Sequence, residues 1–247
     1  MFTIASVGRM VLSGAAQLIY PNACWTCGVL MPPEQGPVCS HCHPLLTVDP
    51  FPACPRCSST VGPHLVLESG CPACAAESLP FTGAFRLGPY DGLLREVILR
   101  MKRWSGEDLA EVIAALWARP MADRLAHLGV DVVIPLPLHW LRRWRRGFNA
   151  GDLLAMALAR ELKVPCWQRT LKRIRATAPQ VAQKNPTARK ENVKGAFRAR
   201  PGFNLVGKTV VIVDDVLTIG ATAGAAARAL RELKPDAIYV AVLAHGR

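Results

Sequence analysis

From residue 81 onward, short blocks of β-branched and apolar residues alternate with longer amphipathic stretches. The short blocks predict strands near 84–87, 131–134, 166–171, 210–213 and 237–243, because four to seven apolar residues bounded by turn formers read as buried strands. Between them, apolar positions recur at helical spacing over about 92–103, 107–127, 149–162 and 223–230. Strands alternating with helices predict a parallel α/β sheet. The first 80 residues break this rhythm. Residues 1–20 are almost wholly apolar and predict a short amphipathic helix, and residues 21–80 are turn-rich and dense in cysteine. Three segments follow: the apolar helix at 1–20, a cysteine-rich module at 21–80, and the α/β domain at 81–247.

Composition sharpens the division. Hydrophobic residues make up 51% of the chain and charged residues 19%, which excludes a disordered polyelectrolyte. The net charge of +12 is unevenly held: residues 1–80 carry −2 and residues 81–247 carry +14. A field of that sign over the α/β domain suits phosphate-rich ligands or nucleic acid. No apolar run is long enough to span a bilayer. Arg9 interrupts the N-terminal apolar stretch and no basic segment precedes it, which disfavours a secretion signal and favours a cytoplasmic protein.

Eight of the nine cysteines form four Cys-x-x-Cys pairs: Cys24/Cys27, Cys39/Cys42, Cys54/Cys57 and Cys71/Cys74. Each pair offers two thiolates from one tight knuckle, and two knuckles complete a closed tetrahedral zinc site. Two structural zinc ions in a double zinc ribbon fit the count. Sequential and interleaved pairing of the knuckles are both compatible with the spacing. The module is too acidic to favour direct DNA contact, so it suits a protein partner or the neighbouring domain. Cys166 lies in an apolar setting and reads as a buried structural thiol.

The stretch from Val210 to Thr222 carries the most chemistry. Four apolar residues run into Asp214 and Asp215, then Thr218, Ile219, Gly220, Ala221 and Thr222 form a turn before an Ala-rich helix. A helix start presents unpaired N–H groups and a positive dipole end to an anion. Gly220 permits close backbone approach, and the Thr218 and Thr222 hydroxyls add donors. The two carboxylates would repel that phosphate and therefore face sugar hydroxyls or a divalent metal. Phosphate, ribose and metal together describe a phosphorylated sugar. The stretch resembles the phosphoribosyl pyrophosphate (PRPP) signature of type I phosphoribosyltransferases, with Ile219 where many members have Thr. The resemblance implies that Asp214 and Asp215 hold the ribose hydroxyls, that Thr218, Ile219, Gly220, Ala221 and Thr222 bind the 5′-phosphate, and that Mg²⁺ accompanies PRPP.

Two basic segments follow predicted strands, where ligands of parallel sheets bind. One contains Trp140, Arg142, Arg143, Trp144, Arg145 and Arg146; the other contains Arg173 and Arg175 and reads as a loop able to close over a ligand. Arg143, Arg146, Arg173 and Arg175 are candidates to clamp a pyrophosphate leaving group. Core packing is the favoured role for Trp140 and Trp144, with base stacking as the alternative. The order of blocks resembles the ComF (GntX-like) family: the cysteine pairs, Leu99 to Lys102, the Pro135-Leu136-Pro137 segment with Arg146-Gly147-Phe148-Asn149, Arg173 to Gln180, Arg189 to Phe197, and the PRPP signature. Met101 stands where that family usually has an aromatic, and Ala150 where it often has Gln. The resemblance implies a double zinc ribbon joined to a type I phosphoribosyltransferase fold, with a link to competence and DNA uptake. Three functions stay open: phosphoribosyl transfer to an acceptor, non-catalytic binding of single-stranded DNA, and regulation by sensing PRPP with the ribbon on a protein partner.

Overall fold

The computed structural model describes residues 22–32, 34–63, 67, 70–75, 77–176 and 186–246. The apolar helix expected over 1–20 and residues 177–180 of the second basic segment lie outside them. The chain forms two compact units, Met1–Leu45 and Leu46–Arg247, so the unit boundary falls between the two halves of the cysteine-rich module. In the first unit a single-turn helix α1 (Cys42–Leu45) carries the last cysteine of the first tetrad.

The second unit holds a parallel sheet of four strands, β1 (Gly83–Pro89), β2 (Val132–Pro135), β5 (Thr209–Leu217) and β6 (Ala237–His245), in the order β1-β6-β5-β2. A separate antiparallel pair joins β3 (Leu171–Arg173) to β4 (Phe197–Ala199). Cys166 adds one parallel bridge to Val133, so the strand expected over 166–171 is split between that bridge and β3. The helices are α2 (Gly92–Met101), α3 (Glu107–Leu125), α4 (Trp140–Arg146), α5 (Ala150–Leu162), α6 (Pro186–Val193) and α7 (Ala221–Arg231).

Strand alternation decides which helix covers which face. Val132, Ile134, Val210, Ile212, Ile238, Val240 and Val242 share one core with the alanines of α7. The intervening residues Val133, Val211, Val213, Ala241 and Leu243 are equally buried and face the opposite layer, where α5 meets β2 and β5 and packs on α3. Trp117 of α3 is fully buried and donates from Nε1 to the Val242 carbonyl at 3.3 Å. Seven small residues among the eleven of α7 (six alanines and Gly224) allow it to approach the sheet closely; a methyl group on Gly224 would sit 3.1 Å from Pro80.

Local capping sets the helix starts. Asp91 accepts from the Gly92 amide at 2.8 Å to begin α2. Asn149 accepts from the Gly151 amide at 3.2 Å to begin α5, and its amide nitrogen donates to Leu136 O and Asp152 Oδ1. That residue therefore pins the Pro-Leu-Pro segment to the next helix. Because all four sheet strands are parallel, the residues after β1, β2, β5 and β6 gather at one edge: Tyr90, Leu136, Thr218 and Gly246.

Candidate functional site

Towards this edge Asp214 and Asp215 lie near the end of β5, followed by Val216 and Leu217. The Asp214 carboxylate accepts from the Asp215 amide at 2.8 Å, and Lys102 Nζ donates to Asp215 Oδ1 at 2.8 Å. Burial, followed by the Asp215 charge, pushes the Asp214 carboxyl up to about 7, against the pull of the Asp215 amide, Lys102 and Arg173. Its side chain is still only half-buried, so ligand can reach it. Burial works to lower the Lys102 pKa, yet Asp215, Asp214 and Tyr90 together hold it above its ordinary value. The pair is an acidic centre with one firm counter-ion, suited to bridging hydroxyls or a cation.

The turn after it is shorter than the sequence predicts, because the helix already starts at Ala221. Gly220 is the cap residue of α7 with φ +72°, and a methyl there would meet the Phe81 ring at 3.3 Å. Left-handed backbone and close packing both select glycine. Gly224 N bonds to Gly220 O at 2.7 Å, so the helix begins directly at the turn. Thr218, Ile219 and Thr222 are half-buried, while Gly220 and Ala221 are buried.

The four candidate arginines separate. Burial lowers the Arg146 pKa, with the Asp215 charge opposing. Arg173 is buried, stacks on Phe197 with its guanidinium 5.3 Å from the ring centroid, and feels the Asp214 charge. Arg143 instead pairs with Asp152 at 3.0 Å, and the exposed Arg175 bonds the Lys194 carbonyl. Arg146 and Arg173 thus feel the charge of the acidic pair, whereas Arg143 and Arg175 are held on other partners. Lys102 completes the centre, although the residue pattern alone gave it no role beyond its place in a family block.

The arginine-rich segment is itself helical, which the sequence reading missed: α4 starts at His139, whose ring accepts from the Leu141 amide at 3.4 Å. No residue of α4 is buried. Trp140 and Trp144 are 69% and 79% exposed, which overturns the expected core packing. The short helix sets Trp144 between Arg143 and Arg145 and has no apolar stripe broad enough to bury either tryptophan.

The cysteines resolve into two groups, Cys24/Cys27/Cys39/Cys42 and Cys54/Cys57/Cys71/Cys74, with the sulfurs of each group within 4.8 Å of one another. Pairing is sequential, not interleaved. A tetrahedral zinc with bonds of about 2.3 Å places its sulfurs about 3.8 Å apart. Cys27–Cys39 at 3.8 Å, Cys54–Cys74 at 3.8 Å and Cys57–Cys71 at 3.5 Å fit that edge. Main-chain amides reach the sulfurs, as in Cys39 N to Cys24 Sγ at 3.3 Å. Such donors, with Thr26, outweigh burial and lower the Cys24 thiol pKa, whereas burial pushes that of the Cys42 thiol up. Both tetrads could hold zinc.

Comparison with known proteins agrees with this geometry. Residues 149–247 match the phosphoribosyl transferase domain model. The DNA utilization protein YhgH of Salmonella typhi is 32% identical over 216 residues, covering 86% of this chain and 92% of that protein. The chain belongs to the YhgH and competence protein F family. Competence protein F of Haemophilus influenzae is 31% identical over 82% of this chain and 88% of its own length. Competence protein ComFC of Bacillus subtilis is 27% identical over 84% and 83%. The ComF resemblance and the phosphoribosyltransferase-like fold preceded by cysteine tetrads are therefore shown. No helix among the described residues is long and apolar enough to cross a membrane.

Proposed function

We propose that the β5 edge binds PRPP, or a related phosphoribosyl ligand, together with Mg²⁺. The observation that carries this reading is the acidic pair leading directly into the left-handed Gly220 turn and the start of α7. The 5′-phosphate would lie on the Thr218–Thr222 amides and hydroxyls, with the ribose hydroxyls on Asp214 and Asp215. Lys102 keeps the pair from repelling the ligand's negative charge. Arg146 and Arg173 would receive the pyrophosphate, and the magnesium ion would neutralise part of its charge. In a transfer, the bond from C1′ to pyrophosphate breaks, its electron pair leaves with pyrophosphate, and an acceptor atom bonds C1′ from the opposite face. The arginines stabilise the leaving charge, and the turn and carboxylates fix the sugar. We place this activity in the cytoplasm, with zinc in both tetrads and the first tetrad available to a protein partner.

Calorimetric titration of PRPP and Mg²⁺ into the full chain tests the reading. Wild type binds, and Asp214→Asn and Asp215→Asn each weaken binding by roughly 10- to 100-fold, the loss of charged hydrogen bonds. Folded wild type that releases no heat and fails to compete for ligand overturns it.

A second reading has its own observation. The exposed Trp140 and Trp144, among Arg142, Arg143, Arg145 and Arg146, form a stacking surface with cationic flanks suited to single-stranded DNA. Quenching of tryptophan fluorescence by an oligonucleotide, with affinity falling steeply as salt rises, supports it. Salt-independent or absent quenching opposes it.

A further inference from the structure

The two cysteine tetrads are built on one backbone plan repeated thirty residues apart. Cys24 N bonds Val29 O and Cys54 N bonds Ser59 O, both at 2.9 Å. Gly28 N bonds Cys24 O and Ser58 N bonds Cys54 O. The bridges Ala23↔Leu30 and Ala53↔Thr60 then close each knuckle. The copies differ in what the equivalent side chain touches. Val29 is 51% exposed. Ser59 is half-buried, with its hydroxyl oxygen 3.2 Å from the Cys57 sulfur and 3.4 Å from His245 Nε2.

His245 ends β6 in register with Leu217 at the end of β5. Its imidazole is buried and lines the same cavity as Thr218. Gly246 N fixes the same corner by donating to Leu217 O at 2.8 Å. A cavity of about 300 Å³ is walled by Cys57 and Cys74 on one side and Thr218, Ile219 and Gly220 on the other. Leu79 packs against both the cysteine cluster and the main core. The second tetrad thus stands beside the turn assigned to the 5′-phosphate: polar contacts run from Cys57 through Ser59 to His245, which sits in register with Leu217 and lines the cavity with Thr218.

We propose that Ser59 and His245 are positioning residues that couple the second tetrad to the phosphate turn, so that a metal ion held by Cys54, Cys57, Cys71 and Cys74 keeps the turn in its binding shape. A bound metal fixes the Cys57 sulfur, and the sulfur fixes the Ser59 hydroxyl. Ser59 then holds the imidazole against Thr218 and restricts the turn's backbone before ligand arrives. The part that concerns affinity rests on the phosphoribosyl reading above; the mechanical coupling does not.

Amide hydrogen exchange across residues 217–222 of the full, zinc-loaded chain tests it, with zinc content and PRPP affinity measured alongside. Ser59→Val installs the residue the first knuckle carries. It should leave two zinc ions per chain, speed exchange at the turn by roughly 10-fold, and weaken PRPP binding several-fold, consistent with losing one or two hydrogen bonds. Ser59→Thr keeps the hydroxyl and should restore both. Chelating the metal from wild type should speed exchange at the turn by a similar factor, and chelating it from Ser59→Val should add little there. Unchanged exchange in a Ser59→Val protein that retains both zinc ions overturns the coupling. If exchange responds as expected but no form binds PRPP, the coupling stands and the ligand assignment falls.

Discussion

The two cysteine tetrads share a motif, a backbone plan and a metal-binding geometry, yet they serve different structures. The first closes the small unit Met1–Leu45, where Cys27 is exposed and the knuckle side chains Val29 and Leu30 face solvent. The second is built into the sheet domain. All four of its cysteines are buried, Pro55 O accepts from the Ala84 amide at 3.1 Å, and Asp49 pairs with Arg86 at 2.9 Å. Arg86 is 1% exposed in the middle of β1 and also donates to Thr60 Oγ1 at 2.7 Å. A repeated metal motif therefore does not reveal what each copy supports; the residues between the cysteines do.

Substitution should separate the copies, most strongly at the metal itself. Cys71→Ser should abolish one zinc and lower the cooperative unfolding of the unit Leu46–Arg247 by several kcal/mol, since metal binding is folding energy for such a knuckle. Cys27→Ser should remove one zinc and leave that transition in place. Zinc analysis with denaturant melts reads both outcomes, and equal losses from the two variants would erase the distinction. Asp49→Ala comes next, at about 3–5 kcal/mol, because it strands the buried Arg86 guanidinium. Adding Arg86→Met should recover most of that loss.

His245 gives the second copy a pH signature. Burial, then the Arg86 charge, holds its pKa down to about 4 against an ordinary 6.5. The unfolded chain binds the extra proton first, so this contribution is fully present above pH 6.5 and is lost as pH falls towards 4. The full window is worth about 3 kcal/mol. His245→Gln should flatten that part of the stability profile measured by urea melts between pH 4 and 7, and an unchanged slope would show that His245 is not its source.

The smallest expected effect concerns one turn residue. Gly28 and Ser58 occupy the same left-handed position, with φ of +77° and +65°. Ser58 accepts that conformation with a buried hydroxyl that has no hydrogen-bond partner among the described residues. Ser58→Gly should therefore stabilise the second unit by about 1 kcal/mol, and Gly28→Ser should weaken the first knuckle. Differential melts check both signs.

Much of this was legible in the residues. The parallel sheet follows from apolar blocks at even spacing, and the turn from Asp214 to Thr222 announces itself because an acidic pair, a glycine and a helix start occur in order. The cysteine pairs gave the ligand sets, while their sequential partnering required the sulfur positions. Helix α4 escaped because Trp140, Leu141 and Trp144, although at helical spacing, span only seven residues crowded with four arginines; it forms with a His139 cap and no buried residue. Arg143 and Arg146 look equivalent in sequence, and only the start of α5, which places Asp152 beside Arg143, tells them apart. Ser59 and His245 lie 186 residues apart, and nothing local in either segment signals their meeting.

The phosphorus resonances of PRPP with Mg²⁺, recorded with and without the full chain, test the central claim most directly. The 5′-phosphate should report on the Thr218–Thr222 turn, and the pyrophosphate on Arg146 and Arg173. Wild type should shift or broaden both sets. Gly220→Ala, which strains a left-handed position and presses on Phe81, should return the 5′-phosphate signal to its free value. Resonances unmoved by folded, zinc-loaded wild type would contradict the account.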